Sequence, residues 1–311
     1  MDLVEKTIKA ATTSEVPLIT TVVQYIIQNQ GKRLRPLLTL LSAKLSGYTG
    51  DGAINIGSAI EMIHTATLLH DDVVDNADLR RGNPSVKAKW GNQVSVLVGD
   101  FFWTKASEMI VQEGNLKILD IITRAIRLTT EAEVLEITKH NDFGIEEEIY
   151  LKIIRGKTAL LFSACCQIGA VFGNVSEPFE EALRCFGADL GMAFQLTDDL
   201  LDYESDEEKF GKQKGGDLKE GKLTLPLIVA LKQANPEEEK LIKGALLSGR
   251  LENQQLKDVQ ELTHKYDGIE YTRRRATEYV KRAKDNLVAF KPSLEKEALL
   301  GLTDHTLTRS E

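Results

Sequence analysis

The chain has 311 residues, 42% apolar and 28% charged, with a net charge of −8. Such a composition suits a soluble globular protein, and its acidic balance argues against nucleic acid or an anionic membrane as a partner. An anionic ligand would have to be held by local cations or metal ions.

Helical spacing of apolar residues recurs along nearly the whole chain, with little period-two alternation. In order, helices are predicted over Val16 to Asn29, Pro36 to Leu45, Ile54 to Asp75, Ser95 to Val111, Leu116 to Ile137, Ile145 to Arg155 and Thr158 to Phe172. Further helices are predicted over Phe179 to Asp202, Leu223 to Ala234, Glu237 to Ser248 and Tyr271 to Ala289. Turn residues mark breaks at Gly31, Gly47 to Gly52, Gly82-Asn83-Pro84, Gly114-Asn115, Gly173-Asn174, Gly211 to Gly221 and Asn235-Pro236. The expected fold is an all-α bundle. No Pro/Ser-rich linker, low-complexity run or short-period repeat divides it, so 1–311 reads as a single domain. Nothing at the N-terminus reads as a signal peptide, and Leu160 to Gly173 is too short to span a bilayer, so no stable membrane insertion is expected. Cys165, Cys166 and Cys185 show neither metal nor disulfide spacing, and are expected to be buried thiols in a reducing compartment, the cytoplasm.

Two aspartate patterns stand out, Asp71-Asp72-Val73-Val74-Asp75 and Asp198-Asp199-Leu200-Leu201-Asp202. Residues four apart share a helix face, so Asp71 and Asp75 lie one turn from each other, as do Asp198 and Asp202. His64 and Thr67 fall on the first stripe, and Gln195 on the second. Six carboxylates on largely apolar helices repel one another and resist desolvation unless a cation lies between them. If the two helices face each other, their oxygens could share hard divalent ions that grip a polyphosphate, and Mg²⁺ suits this best because it bridges to phosphate oxygens. Each feature alone has a plainer reading. One aspartate motif would more often be a solvated helix face or a partner of a helix N-terminal dipole. The basic run Gly31-Lys32-Arg33-Leu34-Arg35-Pro36 would be a solvated loop, and His64 a satisfied core histidine.

Taken together and in order, the motifs resemble the trans-isoprenyl diphosphate synthases, the polyprenyl synthetase family. The resemblance covers nearly the whole chain: the Gly31 to Pro36 run, Leu69-His70 with the first aspartate motif, Arg80-Arg81-Gly82, Gly99-Asp100, Lys157-Thr158, Phe194 to Asp202, Gly211-Lys212, Gly216-Asp217-Leu218 and Lys222 to Pro226. It implies a bundle of antiparallel helices around a central apolar cavity. It also implies that Asp71, Asp75 and Asp198 bind Mg²⁺, three ions with substrate bound, supported by Asp72, Asp199, Asp202 and Asp217 through water or salt bridges. Lys157, Lys212 and Arg80 would hold the allylic diphosphate, with Thr158, Gln195 and Lys222 nearby. These three cations and the three metal ligands form the expected catalytic set. Lys32, Arg35, His64 and Arg81 would bind isopentenyl diphosphate without metal, and a homodimer is implied.

The implied reaction lengthens an allylic diphosphate, farnesyl diphosphate as primer, by repeated condensation with isopentenyl diphosphate. Diphosphate leaves only if its growing charge is neutralised, and the resulting carbocation must be kept from water. Chain length would follow the depth of an apolar tunnel below the first motif. Ala66 and Thr67 stand where short-chain members carry bulk, with Met62 and Ile63 one turn back and Ala59 and Ser58 behind them. That leaves this wall unblocked for about 11 Å, two helical turns. The segment Glu61 to His70, with Ser95 to Asp100, most resembles the bacterial octaprenyl-forming members that make quinone side chains. Two departures from the family pattern are Thr197, at a usually aliphatic position, and the polar tail Thr303 to Leu307, which puts any role for Arg309 in doubt.

Other readings have distinct signatures. A farnesyl or geranylgeranyl diphosphate synthase would stop early. A class I terpene cyclase would have no use for Lys32, Arg35 or a second aspartate motif, and a non-catalytic synthase subunit would have lost aspartates or lysines. A di-iron bundle would need paired Glu-x-x-His motifs, absent here.

Overall fold

A computed structural model describes residues 1–29, 31–204, 216–247 and 253–308. They form α1 (Asp2–Ala11), α2 (Pro17–Gln28), α3 (Leu34–Leu45), α4 (Gly52–Val74), a hairpin of β1 (Leu79–Arg80) and β2 (Asn83–Pro84), α5 (Val86–Trp90) and α6 (Asn92–Glu113). Next come α7 (Leu116–Thr138), α8 (Glu147–Ile154), a π-helical turn (Arg155–Ala159), α9 (Leu160–Phe172) and α10 (Glu177–Glu204). The described chain ends with α11 (Gly216–Lys219), α12 (Leu225–Leu231), α13 (Pro236–Leu247), α14 (Asn253–Lys265), α15 (Gly268–Asn286) and α16 (Leu294–Thr308). The all-α expectation holds, and the two-residue strands β1 and β2, paired antiparallel, are the only sheet among the described residues. The chain divides into two compact units: Met1–Thr123 with Ala164–Leu183 and Pro292–Lys296, and Arg124–Ser163 with Arg184–Lys291 and Glu297–Glu311.

In the first unit α1, α3 and α6 pack on α4. Every residue of α4 from Ile56 to Ile63 is buried, the mark of a helix enclosed on all sides rather than laid on a surface. Full burial of Met62 and Ile63 contributes about 1.5–3 kcal/mol each. Pro17 opens α2 where a missing amide hydrogen costs nothing. Gly114, at φ 71°, closes α6 in the left-handed conformation that a side chain would strain. Cys165 and Cys166 are buried as expected, and burial pushes the Cys165 thiol up to about 12, so it is inert. Cys185, in the second unit, is only half-buried.

In the second unit α12 packs against α8, α14 and α15. Its core includes Tyr150, Ile153, Leu196, Leu200, Tyr203, Leu225, Ile228, Val259 and Tyr279. α10 lies very close to the start of α9: a Cβ at Gly187 would stand 2.5 Å from the Phe162 carbonyl oxygen, and one at Gly191 2.5 Å from the Ala159 Cα. Those two glycines let α10 approach the π turn that carries Lys157.

Five helices escape the periodicity of apolar residues. α1 buries only Val4 and Ile8, and α5 is a five-residue turn capped by the Ser85 hydroxyl, which accepts from the Ala88 amide at 3.1 Å. α11 is a four-residue turn inside the predicted break that ends at Gly221. α14 is strongly polar yet buries Leu256, Val259 and Leu262. In α16 two residues of the polar tail, Thr303 and Thr306, are themselves buried, their hydroxyls donating to the Leu299 and Leu302 carbonyls at 2.8 and 3.0 Å. Arg309, Ser248 and Gly211 lie outside the described residues.

Thr197 is buried with no hydrogen-bond partner for its hydroxyl among the described residues. An unsatisfied buried hydroxyl costs about 1–3 kcal/mol, so Thr197→Val, of equal shape, should stabilise the protein by about 1 kcal/mol. Urea unfolding of the two proteins checks this, and a destabilised variant would show that the hydroxyl is satisfied after all.

Candidate active site

Both aspartate motifs sit at the C-terminal ends of long helices. α4 ends at Val74, with Asp71 and Asp72 in its last turn and Asp75 as its C-cap. α10 ends at Glu204, and Asp198, Asp199 and Asp202 occupy its last two turns. Neither last turn contains a basic residue. A helix C-terminus carries partial negative charge, which disfavours anions there by about 0.3–1 kcal/mol. The alternative of aspartates as partners of an N-terminal dipole is therefore overturned, and the motifs need cations more than their spacing alone implied.

In the second unit the motif borders a cavity of about 120 Å³. Its wall brings together the expected residues Lys157, Gln195, Asp199, Asp217 and Lys222, and adds Glu136, Lys139, His140 and Tyr150. The helices predicted to end at Arg155 and to begin at Thr158 are joined through the π turn Arg155–Ala159. Such single-turn insertions re-aim side chains and are frequent at functional sites. Gly156 permits it, because a Cβ there would meet the Ala132 Cβ at 2.2 Å. Lys157 emerges from this turn to pair with Glu133 at 2.9 Å and with Glu136. Burial opposes its charge, but the two glutamates hold the ammonium above the ordinary lysine value.

The next residue starts a hydrogen-bond chain. The Thr158 hydroxyl donates to Gln195 Oε1 at 2.7 Å, Gln195 Nε2 donates to Asp199 Oδ1 at 2.8 Å, and the Tyr150 hydroxyl donates to Asp199 Oδ2. Asp199 is almost fully buried. Burial, with repulsion from Asp198 and Asp202, pushes its carboxyl up to about 7 despite the two donors. Asp217 is also pushed well above the usual range, by burial and then by Asp202 and Asp199, with Lys222 opposing. Asp202 accepts the Gly216 and Asp217 amides at 2.9 and 3.1 Å, so it caps α11. Asp198 is half-buried. Lys212 lies outside the described residues.

In the first unit a smaller cavity of about 70 Å³ is lined by His64, Asp72, Arg80 and Arg81, and also by Tyr25, Arg33 and Glu61. Arg80, on β1, donates through Nε and Nη2 to Asp72 Oδ1 at 2.9 and 2.6 Å. Asp72 is buried, and burial raises its carboxyl even against that arginine. Arg81 follows at φ 53° and lies over Gly31, where a Cβ would be 2.5 Å from Nη2. His64 is driven well below its usual value by burial and then by the fields of Arg35, Arg81, Arg80 and Arg33. A neutral imidazole inside a ring of guanidinium groups suits an anion and not a metal cation. Arg35 is half-buried and Lys32 exposed, and neither lines the cavity wall. Asp71 is half-buried and Asp75 exposed. Of the chain-length candidates, Met62, Ile63 and Ala66 are buried, while Thr67 is half-buried and donates to the His64 carbonyl at 2.8 Å.

Four contributors were missed from sequence. Tyr150, Glu133 and Glu136 carry no motif and reach the site only through packing. Arg33 was visible within the basic run but not distinguished from its neighbours.

An all-α fold whose acidic motifs end long helices, each beside a cavity lined by lysines or arginines as well as acids, defines a class of proteins suited to anionic substrates. The Polyprenyl synthetase family model matches residues 16–263. Octaprenyl diphosphate synthase of Escherichia coli (strain K12) is 42% identical over 296 residues, covering 95% of this chain and 91% of that protein. The crystal structure of a polyprenyl synthase from Caulobacter crescentus CB15, complexed with calcium and isoprenyl diphosphate, superposes with a TM-score of 0.94 at 39% identity, covering 99% of this chain and 94% of that one. A decaprenyl diphosphate synthase from Rhodobacter capsulatus gives a TM-score of 0.95 at 38% identity, covering 100% and 96%. The chain belongs to the polyprenyl synthetase family, and it is a prenyltransferase.

The raised Asp199 carboxyl has a stability consequence. Folded Asp199 keeps its proton up to about 7, whereas in the unfolded chain it ionises near 3.8. The native state thus binds more protons in that window, and metal-free stability should fall as pH rises through it and level off above. Asp199→Asn should flatten the trend, measured as urea midpoints between pH 5 and pH 8 in chelator, by up to about 1.4 kcal/mol per pH unit. A wild-type stability that rises across that range would contradict the assignment.

Proposed function

We propose that this prenyltransferase elongates farnesyl diphosphate by successive trans condensations with isopentenyl diphosphate to a long all-trans polyprenyl diphosphate, octaprenyl, destined for a quinone side chain. One observation carries the reading. Each acidic motif ends a helix whose dipole repels it, and each borders a cavity where lysines or arginines stand beside the acids, in a chain 42% identical over 95% of its length to an octaprenyl diphosphate synthase. The two units act as one catalytic domain in this reading, which is supported by the family match running from 16 to 263 through segments of both.

The donors are carboxylate oxygens, the kind magnesium takes, and the carboxyls of Asp199 and Asp217 are raised by burial and then by their neighbours' charge. Among the described residues no three acidic, histidine or cysteine side chains form a group able to hold a metal by themselves, so diphosphate oxygens and water would complete the shell. Asp71, Asp75 and Asp198 would hold the ions, three with substrate bound. Ions held by these residues would supply neutralisation of the charge that grows on the departing diphosphate.

The chain's own groups do the remainder. Lys157, Lys212 and Arg80 bind the allylic diphosphate, with Lys222 alongside. Gln195 and Thr158 orient Asp199, and Asp72 fixes Arg80. Arg35, Arg81 and Lys32 bind isopentenyl diphosphate, while neutral His64 offers it a hydrogen bond. Buried apolar residues of α4, Met62, Ile63 and Ala66 with Thr67 above them, keep water from the growing chain and set its length. No helix among the described residues is long and apolar enough to cross a membrane; the product is lipid-like and the enzyme acts in the cytoplasm, in keeping with the buried thiols of Cys165 and Cys166. It works as a homodimer, for which the exposed apolar residues Val96, Leu97 and Val111 of α6 supply a face.

Incubation with farnesyl diphosphate, isopentenyl diphosphate and Mg²⁺ should yield a single long product by mass spectrometry after dephosphorylation, and a chelator should abolish it. No chain growth defeats the proposal, and an early stop would indicate a short-chain synthase. Asp71→Ala and Asp198→Ala should each lower kcat by about 100-fold or more with an intact circular dichroism spectrum; unfolding instead would make those carboxylates structural. Met62→Phe should shorten the product, and an unchanged length would remove this wall of α4 from length control.

A further inference from the structure

Arg33 is held differently from the other cations of the basic run. Its backbone sits at φ 53°, a conformation that costs a non-glycine residue about 1 kcal/mol or more. Its guanidinium is wedged between two helices. Nε donates to Glu5 Oε1 on α1 at 2.7 Å, with Nη2 3.4 Å from Glu5 Oε2, and Nη1 donates to Glu61 Oε1 on α4 at 2.9 Å. Only a tenth of the Arg33 side chain is exposed, and Glu61 is almost fully buried. Glu61 lines the same cavity, and its Oε2 has no hydrogen-bond partner among the described residues. That carboxylate is therefore placed for its charge more than for hydrogen bonding, and its field reaches Arg33, Arg35 and Arg81.

We infer that Glu5 and Glu61 are positioning residues for the isopentenyl diphosphate cavity, acting through Arg33. This rests on the reading of that cavity given above. Arg33 is not a further cation waiting for phosphate: its charge is matched by two carboxylates, and it serves as a strut. The strained backbone at Arg33 is thereby locked, which fixes the directions in which Lys32 and Arg35 leave the chain on either side. The arginine ring around His64 is also assembled before any anion arrives, because Glu61 offsets its mutual repulsion. α1, which carries no motif, becomes part of the binding machinery at one remove.

Glu5 is accessible enough for a clean test, since its side chain is 28% exposed. Glu5→Gln keeps the shape and removes the charge. It should raise KM for isopentenyl diphosphate about fivefold, the worth of about one weakened charge-assisted hydrogen bond, with kcat and the KM for farnesyl diphosphate unchanged. Glu5→Asp should recover part of the loss. A Glu5→Gln enzyme whose two KM values rise together, or whose isopentenyl KM stays put or falls, overturns the strut. Arg81→Ala serves as the companion variant: if it leaves the isopentenyl KM unchanged, the cavity reading itself fails and takes this inference with it. If it raises that KM while Glu5→Gln does not, only the inference fails.

Discussion

Repulsion among carboxylates is the constraint to which the rest of this protein answers. Asp71, Asp72 and Asp75 close α4, and Asp198, Asp199 and Asp202 close α10, each set at the end of its helix where the peptide dipoles already present negative charge. Burial aggravates the problem, as the raised carboxyls of Asp72, Asp199 and Asp217 record. A fold can tolerate such an arrangement if it supplies donors. Arg80 answers Asp72, Tyr150 and Gln195 answer Asp199, and the α11 amides answer Asp202. In the proposed function magnesium and diphosphate together would meet the remaining demand, with Asp71, Asp75 and Asp198 as the residues that would hold the ions.

The cationic side is balanced with equal care. Lys157 is countered by Glu133 and Glu136, Arg33 by Glu5 and Glu61. Those pairs keep like charges assembled at short range without the penalty of a naked cluster. His64 shows the outcome: desolvated and in the field of four arginines, it stays neutral, and so adds a hydrogen-bonding group without adding charge. An anion entering this cavity meets groups already in place, which lowers the cost of organising them on binding.

Much of this was legible in the residues themselves. The long helices follow from apolar spacing, and α4 was read nearly to its last residue because its core stretch is continuous. α14 and α16 were not read because their buried faces are narrow or made of threonine, whose hydroxyls satisfy themselves on the preceding turn and so pack like apolar groups. The π turn at Lys157 has no signature in the apolar spacing, which gives a helix on either side of it; Gly156 there serves close packing against Ala132. Tyr150, Glu133 and Glu136 had no local pattern to betray them, because their roles arise from neighbours far along the chain.

The chemistry on offer was present before any folding: two carboxylate motifs at helical spacing, a set of lysines and arginines between them, and apolar helices to carry both. These are properties of residue type and period, which a linear chain already holds. Packing alone settled which cation is matched to which carboxylate, how deeply each acid is buried, and that Arg33 braces two helices while Arg81 faces the cavity. Such pairings depend on side chains from separate helices being brought within hydrogen-bond reach, and that distance exists only once the chain has folded.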